Sequence, residues 1–139
     1  MLNRRLGYII RDQDPLVMRA DETVHNAAKA MRERHAGSVL VVDEHQHLIG
    51  IFTGRDALRV LAGGEGPKVA LSKAMTPNPL TVDPDQRAID ALRIMSDGGF
   101  RHVPVVEHGR IWGVVSRADF KGMEIDRLDE EEGLAERIR

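Results

Sequence analysis

The chain has no cysteine. That excludes a disulfide framework, a thiolate nucleophile and any Cys-based zinc or iron–sulfur site. Aromatic residues are scarce, with three Phe, one Tyr and one Trp in 139 residues. They do not interleave with basic residues, so the stacking platform of a single-strand nucleic-acid binder is missing. No apolar run approaches the roughly 20 residues of a membrane span. Near the N-terminus Arg4 and Arg5 are followed only by Tyr8-Ile9-Ile10 as an apolar block. A secretory signal needs an apolar core of about 7–15 residues, so the expectation is a cytoplasmic protein. The formal net charge of −2 gives no global pull toward DNA or anionic lipid. There is no Walker phosphate loop with its lysine, and no Ser-His-Asp or Cys-His arrangement. His45 and His47 alternate in a turn, and His25, His35, His102 and His108 are scattered. A metal site needs three or four converging ligands, and no such spacing is visible.

What is present is ordinary in amount and unusual in arrangement. Hydrophobic residues make up 42% and charged residues 30%, as in soluble globular domains. Of the 20 basic residues, 16 are arginine, the side chain suited to bidentate phosphate contacts. The chain also repeats itself. Asp21 to Met31 lies over Asp85 to Met95 at an offset of 64. Val24, Ala27, Ala28 and Met31 fall on Ala88, Ala91, Leu92 and Met95, and both sets have the spacing of a helix with one buried face. The same offset lays Val39 to Val42 over Val103 to Val106. After a one-residue difference, Leu48 to Thr53 matches Ile111 to Ser116.

Each repeat reads as a short extended lead-in, a helix, a buried valine-rich strand, a polar turn, a second apolar strand, and a helix opening at Thr53 or Ser116. Asp21 and Asp85 fit the helix N-cap or first turn, where the dipole favours negative charge. Gly50 and Gly113 sit mid-strand, which marks close approach of another backbone or a ligand. Trp112 falls where Ile49 falls and reads as a core or interface residue. Strands with apolar side chains on both faces need cover on both sides, more than one repeat supplies alone. The organisation expected is an N-terminal segment at 1–11, a first repeat at 12–64, a linker at 65–73, a second repeat at 74–124, and a charged tail at 125–139 with helical spacing of Leu134 and Ile138. Gly63 to Pro67 is loop by composition. Pro77 and Pro79 hold an extended backbone.

The polar residues that repeat carry the chemistry. Thr53-Gly54-Arg55-Asp56 and Ser116-Arg117-Ala118-Asp119 each follow a glycine-containing strand. A hydroxyl followed three residues later by an acid is a capping-box variant that satisfies free helix N–H groups. A carboxylate at a helix start can equally accept two hydrogen bonds from the cis 2′- and 3′-hydroxyls of a ribose. The neighbouring hydroxyl would then lie near phosphate, which a helix N-terminus favours. One side chain can serve both purposes.

The whole pattern resembles the cystathionine-β-synthase (CBS) domain family in its tandem form, the Bateman module. The features that carry the resemblance are the duplicated helix–strand–strand–helix order, Gly50-Ile51-Phe52-Thr53 with Asp56, Gly113-Val114-Val115-Ser116 with Asp119, Arg101-His102-Val103-Pro104-Val105-Val106, and Met75-Thr76-Pro77-Asn78-Pro79. It covers roughly residues 12 to 124. It implies an α+β fold of two β-α-β-β-α repeats packed sheet-to-sheet about a pseudo-twofold axis, with adenosine-containing ligands in two clefts between the repeats. One cleft would combine Ile51, Thr53, Arg55 and Asp56 with Thr76, Leu80, Thr81, Arg101 and His102. The other would combine Val114, Ser116, Arg117 and Asp119 with Leu16, Val17, Gly37 and Ser38. Arginine makes charge-assisted bonds to phosphate whereas glycine and serine do not, so the Asp56 set is expected to prefer the more highly charged ligand.

The expectation is therefore a stand-alone, non-catalytic sensor with no required cofactor. Its ligand would be AMP, ADP, ATP or NAD, since S-adenosylmethionine would use the Arg101 charge poorly. The resemblance also implies a homodimer, with an effector protein outside this chain and no DNA or membrane partner. The alternatives are an interaction scaffold with degenerate clefts and a nucleotide hydrolase.

Overall fold

A computed structural model describes residues 3–122, 124–126 and 128–130. The expected helical pairing of Leu134 with Ile138 lies outside the described residues. The chain divides into two units, one of residues 14–79 with 109–111, the other of the described parts of 1–13, 80–108 and 112–139. The helix α1 (Leu6–Ile9) opens the chain and belongs to the latter unit.

The unit built on the first repeat contains β1 (Val17–Arg19), α2 (Val24–Arg34), β2 (Ser38–Val42), β3 (Leu48–Thr53), α3 (Gly54–Ala62), α4 (Leu71–Ala74) and β4 (Thr76–Pro77). Its sheet has the order β1-β2-β3-β4. β1 runs parallel to β2, with Val17 opposite Leu40. β2 and β3 are antiparallel, with Ser38 opposite Thr53 and Leu40 opposite Ile51. β4 pairs antiparallel to β3, with Ile51 opposite Thr76. Every residue of β2 is buried, as its unbroken apolar run requires. Phe52, Val39 and Val41 pack with Val24 and Ala27 of α2 and with Leu71 and Ala74 of α4.

The second unit carries α5 (Ala88–Gly98), β5 (His102–Glu107) and, from Trp112 on, β6 (Arg110–Ser116). Val82 bridges Val105 in parallel, repeating the β1–β2 arrangement with a single residue pair. Val82, Ala91, Leu92, Met95, Val103, Val105 and Val115 form its core together with Leu6, Ile10, Phe120 and Leu128. Trp112 lies on the outward side of β6 and is 47% exposed, so it is not a core residue of this chain.

Three expectations need correcting. Asp21 and Asp85 do not cap helices: Thr23 is the N-cap of α2 and accepts from the Asn26 N–H, and Arg87 precedes α5 with Asp90 reaching back to its N–H at 2.9 Å. The span given to a linker contains part of α4. Ser116 opens only a single 3-10 turn, Arg117–Asp119, after which Phe120 is extended, and residues 122, 124–126 and 128–130 are helical.

The N-terminal segment and the α4 segment also correspond to one another. Leu6 N–H donates to Gln86 O, Gly7 N–H to Pro84 O, and Ala88 N–H to Arg4 O. Leu71 N–H donates to Glu22 O, Ser72 N–H to Ala20 O, and Val24 N–H to Val69 O. Each repeat's helix is thus approached by a short helix whose place is fixed by main-chain bonds, and Leu6 and Leu71 plug equivalent core positions, both fully buried. The glycines mid-strand are explained by these segments. A Cβ at Gly50 would collide with Met75 and the Thr76 carbonyl, and one at Gly113 with Gln13 and Ile10. The Gln13 amide bonds both the N–H and the C=O of Val114 (2.7 and 2.9 Å). A side chain there does for β6 what strand β4 does for β3.

The second unit is fastened by an ion pair distant in sequence. Arg4 donates to both oxygens of Glu124 (Nε–Oε2 3.2 Å, Nη2–Oε1 2.7 Å). Both residues are buried, at 8% and 2% exposure. Arg4 Nη2 also reaches the Asp119 carbonyl at 3.1 Å, and the Lys121 N–H donates to Glu124 at 2.8 Å.

Candidate functional site

β3 delivers Thr53 to the start of α3, and one turn on, Asp56 folds back beneath it. The Thr53 N–H donates to Asp56 Oδ2 at 2.9 Å, and Thr53 Oγ1 lies 3.3 Å from the same oxygen. The other oxygen, Oδ1, accepts from Arg59 Nη2 at 2.9 Å and from Thr76 Oγ1 at 3.3 Å. Arg59 Nη2 also donates to the Ala74 carbonyl at 2.7 Å, tying α3 to the end of α4. Asp56 is itself buried, whereas Thr76, Arg55 and Arg59 are exposed. Ile51 is opposite Thr76, and Ser38 opposite Thr53, so the sheet register gathers these residues at one end of one unit.

At the equivalent place in the second unit, the Ser116 N–H donates to Asp119 Oδ2 at 2.7 Å. Asp119 is exposed, Ser116, Val114 and Arg117 half-buried. The Arg117 N–H donates to the Arg101 carbonyl at 2.9 Å, which seats Arg101 and His102 beside the Ser116 turn. Burial, and then the Arg101 charge, push His102 below the usual histidine range, with Asp119 opposing. The neutral imidazole is therefore favoured, a ring that can accept as well as donate.

The capping role expected of both acids is realised, and at Asp119 it uses one carboxylate oxygen. Of the set grouped with Asp56, the structure brings Ile51, Thr53 and Thr76 to it; Leu80, Thr81, Arg101 and His102 belong to the other unit. Of the set grouped with Asp119, Val114, Ser116 and Arg117 adjoin it, whereas Leu16, Val17, Gly37 and Ser38 belong to the first-repeat unit. Leu16 and Ser38 are buried, Val17 and Gly37 exposed. Arg59 was missed by the sequence reading, although its place three residues after Asp56 on a helix is the signal of a facing ion pair. Arg4 and Glu124 were missed as well, with no local signal to find them.

One cluster of acids was not foreseen. Single carboxylate oxygens of Asp83, Asp85 and Glu107 lie within 4.8 Å of one another. Asp83 accepts the Asp85 N–H at 2.8 Å and Asp85 faces Arg5 at 3.5 Å, so two of the three already have partners in the protein. No helix among the described residues is long and apolar enough to cross a membrane.

The family model "CBS domain" matches residues 9–63 and again 71–123. The chain is 42% identical over 104 residues to the CBS domain-containing protein CBSCBSPB2 of Arabidopsis thaliana, covering 73% of this chain and 19% of that protein. It is 36% identical over 104 residues to a 17.7 kDa protein of Acidianus ambivalens, covering 74% and 63%. The chain thus spans from about a fifth to under two-thirds of these relatives. Among solved structures, a CBS-domain-containing protein of Agrobacterium tumefaciens is similar with a TM-score of 0.79 at 31% identity, covering 86% of this chain and 91% of that one. The CBS-domain pair of protein MJ0100, solved with 5′-methylthioadenosine and S-adenosyl-L-methionine, has a TM-score of 0.77 at 27% identity, covering 90% and 98%.

Proposed function

Because the chain belongs to the CBS-domain family, with two copies in tandem, we propose that it is a regulatory module that binds an adenosine-containing ligand and performs no chemistry on it. The observation that carries this is the duplicated carboxylate. Asp56 and Asp119 each sit one turn after a strand end, each three residues after a hydroxyl-bearing residue whose N–H they accept. A carboxylate so placed is acceptor-only and offers two oxygens to a vicinal diol. The turn N–H groups and Thr53 or Ser116 face the side on which a phosphate or other polar 5′ substituent would lie. The adenosyl ligands in the MJ0100 pair support the same class here. Within that class we favour AMP, ADP, ATP or NAD, since Arg55, Arg101 and Arg117 give a phosphate charged partners. The residues committed to the ligand are Ile51, Thr53, Arg55, Asp56, Thr76, Leu80, Thr81, Arg101 and His102 in one set, and Val114, Ser116, Arg117, Asp119, Leu16, Val17, Gly37 and Ser38 in the other. The module acts as a homodimer and transmits occupancy to an effector protein.

A thermal-shift screen with AMP, ATP, NAD and S-adenosylmethionine tests this. A ligand at 100 times its Kd stabilises the folded state by roughly 2.7 kcal/mol, a melting rise of several degrees. If no adenosyl ligand raises the melting temperature, the scaffold reading replaces this one. Product from labelled ATP in a single-turnover assay would instead establish a hydrolase.

A further inference from the structure

A carboxylate has about four lone-pair sites for hydrogen-bond donors. At Asp56 four contacts lie on them: the N–H and hydroxyl of Thr53 on Oδ2, and Arg59 and Thr76 on Oδ1. At Asp119, among the described residues, only the Ser116 N–H reaches the carboxylate. The difference is built into the sequence. Three residues beyond Asp56 stands Arg59, on the same helix; three beyond Asp119 stands Gly122, and the chain has already left helical geometry at Phe120. The same Arg59 Nη2 also donates to the Ala74 carbonyl, 2.7 Å away, which holds the guanidinium in place over Asp56. Its side chain is 61% exposed, so it can swing off into water without disturbing the core.

We infer that Arg59 is a latch on the first of the two carboxylates, a residue that sets the order and the relative affinity of the two binding sites. The inference rests on the reading of Asp56 and Asp119 as ribose acceptors. A diol reaching Asp56 must displace Arg59, Thr76 or both from Oδ1, whereas at Asp119 it meets an exposed carboxylate with room left. Ligand therefore fills the Asp119 site first, and the Asp56 site answers only at higher concentration. A module so arranged reports two concentration ranges of one ligand. Arg59 contacts no ligand in this account and acts through Asp56, as a positioning residue.

Titration calorimetry of the full chain with AMP tests it. Asp119→Asn leaves the Asp56 site alone to be measured, with or without Arg59→Met. Releasing this ion pair, exposed on its arginine side, should tighten AMP about two- to fivefold in the double variant. The gain should vanish with 2′,3′-dideoxyadenosine monophosphate, which a merely structural effect of the substitution would not produce. Equal AMP affinity with and without Arg59, or an equal gain for the dideoxy compound, overturns the latch while leaving the sensor intact. AMP binding to none of these proteins overturns the sensor reading, and the latch with it.

Discussion

Glu124→Gln isolates the buried ion pair of the second unit. The substitution is isosteric, so it removes a charge without opening a cavity. It leaves the Arg4 guanidinium 8% exposed, with its charge facing a neutral amide. Breaking one partner of a buried pair costs about 3–5 kcal/mol, because the remaining ion keeps its desolvation penalty. The geometry favours the upper part of that range. Arg4 makes two bonds to the carboxylate and Lys121 N–H a third. For a domain of marginal stability this is a large fraction of the total, roughly 10–20 °C in Tm. Arg4→Met/Glu124→Met should recover most of the loss, since an apolar pair of similar volume is close to neutral at such a site.

The pH dependence has a definite sign. Burial pushes the Glu124 carboxyl up, but the Arg4 and Lys121 bonds outweigh it, and the group lies below its ordinary value of 4.5. Its contribution is therefore complete above about pH 5 and lost as pH falls through the folded-state value. The assay is urea unfolding of Glu124→Gln and of the cycle made by wild type, Arg4→Met, Glu124→Met and the double variant, followed by circular dichroism at pH 7 and pH 4. A loss under about 1 kcal/mol for Glu124→Gln, or additive single effects, would refute the reasoning.

Two other outcomes follow from the fold. Gly50→Ala should cost about 1–3 kcal/mol by overpacking, read as a lower urea midpoint, because the new Cβ would sit 2.9 Å from Met75 Cγ and 3.1 Å from the Thr76 carbonyl oxygen. An unchanged midpoint would mean that β4 is not held against β3 as described. His102, depressed by burial and by Arg101, takes up its proton more readily in the unfolded chain, so stability should fall as pH drops below about 6.5. His102→Asn should flatten that slope, and an unchanged slope in urea titrations between pH 5 and 7 would contradict it.

Periodic and local features were legible in the sequence. The spacing of Val24, Ala27 and Met31 and of Ala88, Ala91, Leu92 and Met95 placed α2 and α5, and the valine runs placed β2 and β5. Gly50 and Gly113 announced a close neighbour, and the neighbours are Met75 and Gln13. Caps were misplaced because acids two residues upstream of Thr23 and Arg87 satisfy the same compositional rule. The kinship of the α1 and α4 segments was hidden because it is written in main-chain bonds, with Leu6 and Leu71 as its main side-chain trace. The Arg4–Glu124 pair spans 120 residues, beyond any local pattern. At the site, the carboxylates and hydroxyls were legible as a repeat. Arg59 was missed although its i, i+3 spacing from Asp56 was there to read, because that spacing does not say that the guanidinium also reaches the Ala74 carbonyl.

Ligand recognition rests on a ribose diol meeting a carboxylate, and calorimetry of the wild-type chain with AMP against 2′,3′-dideoxyadenosine monophosphate tests that contact most directly. The geometry predicts saturable AMP binding that weakens by at least about tenfold when the two hydroxyls are removed, the loss of hydrogen bonds to a charged acceptor. Equal affinity for the two compounds would contradict it.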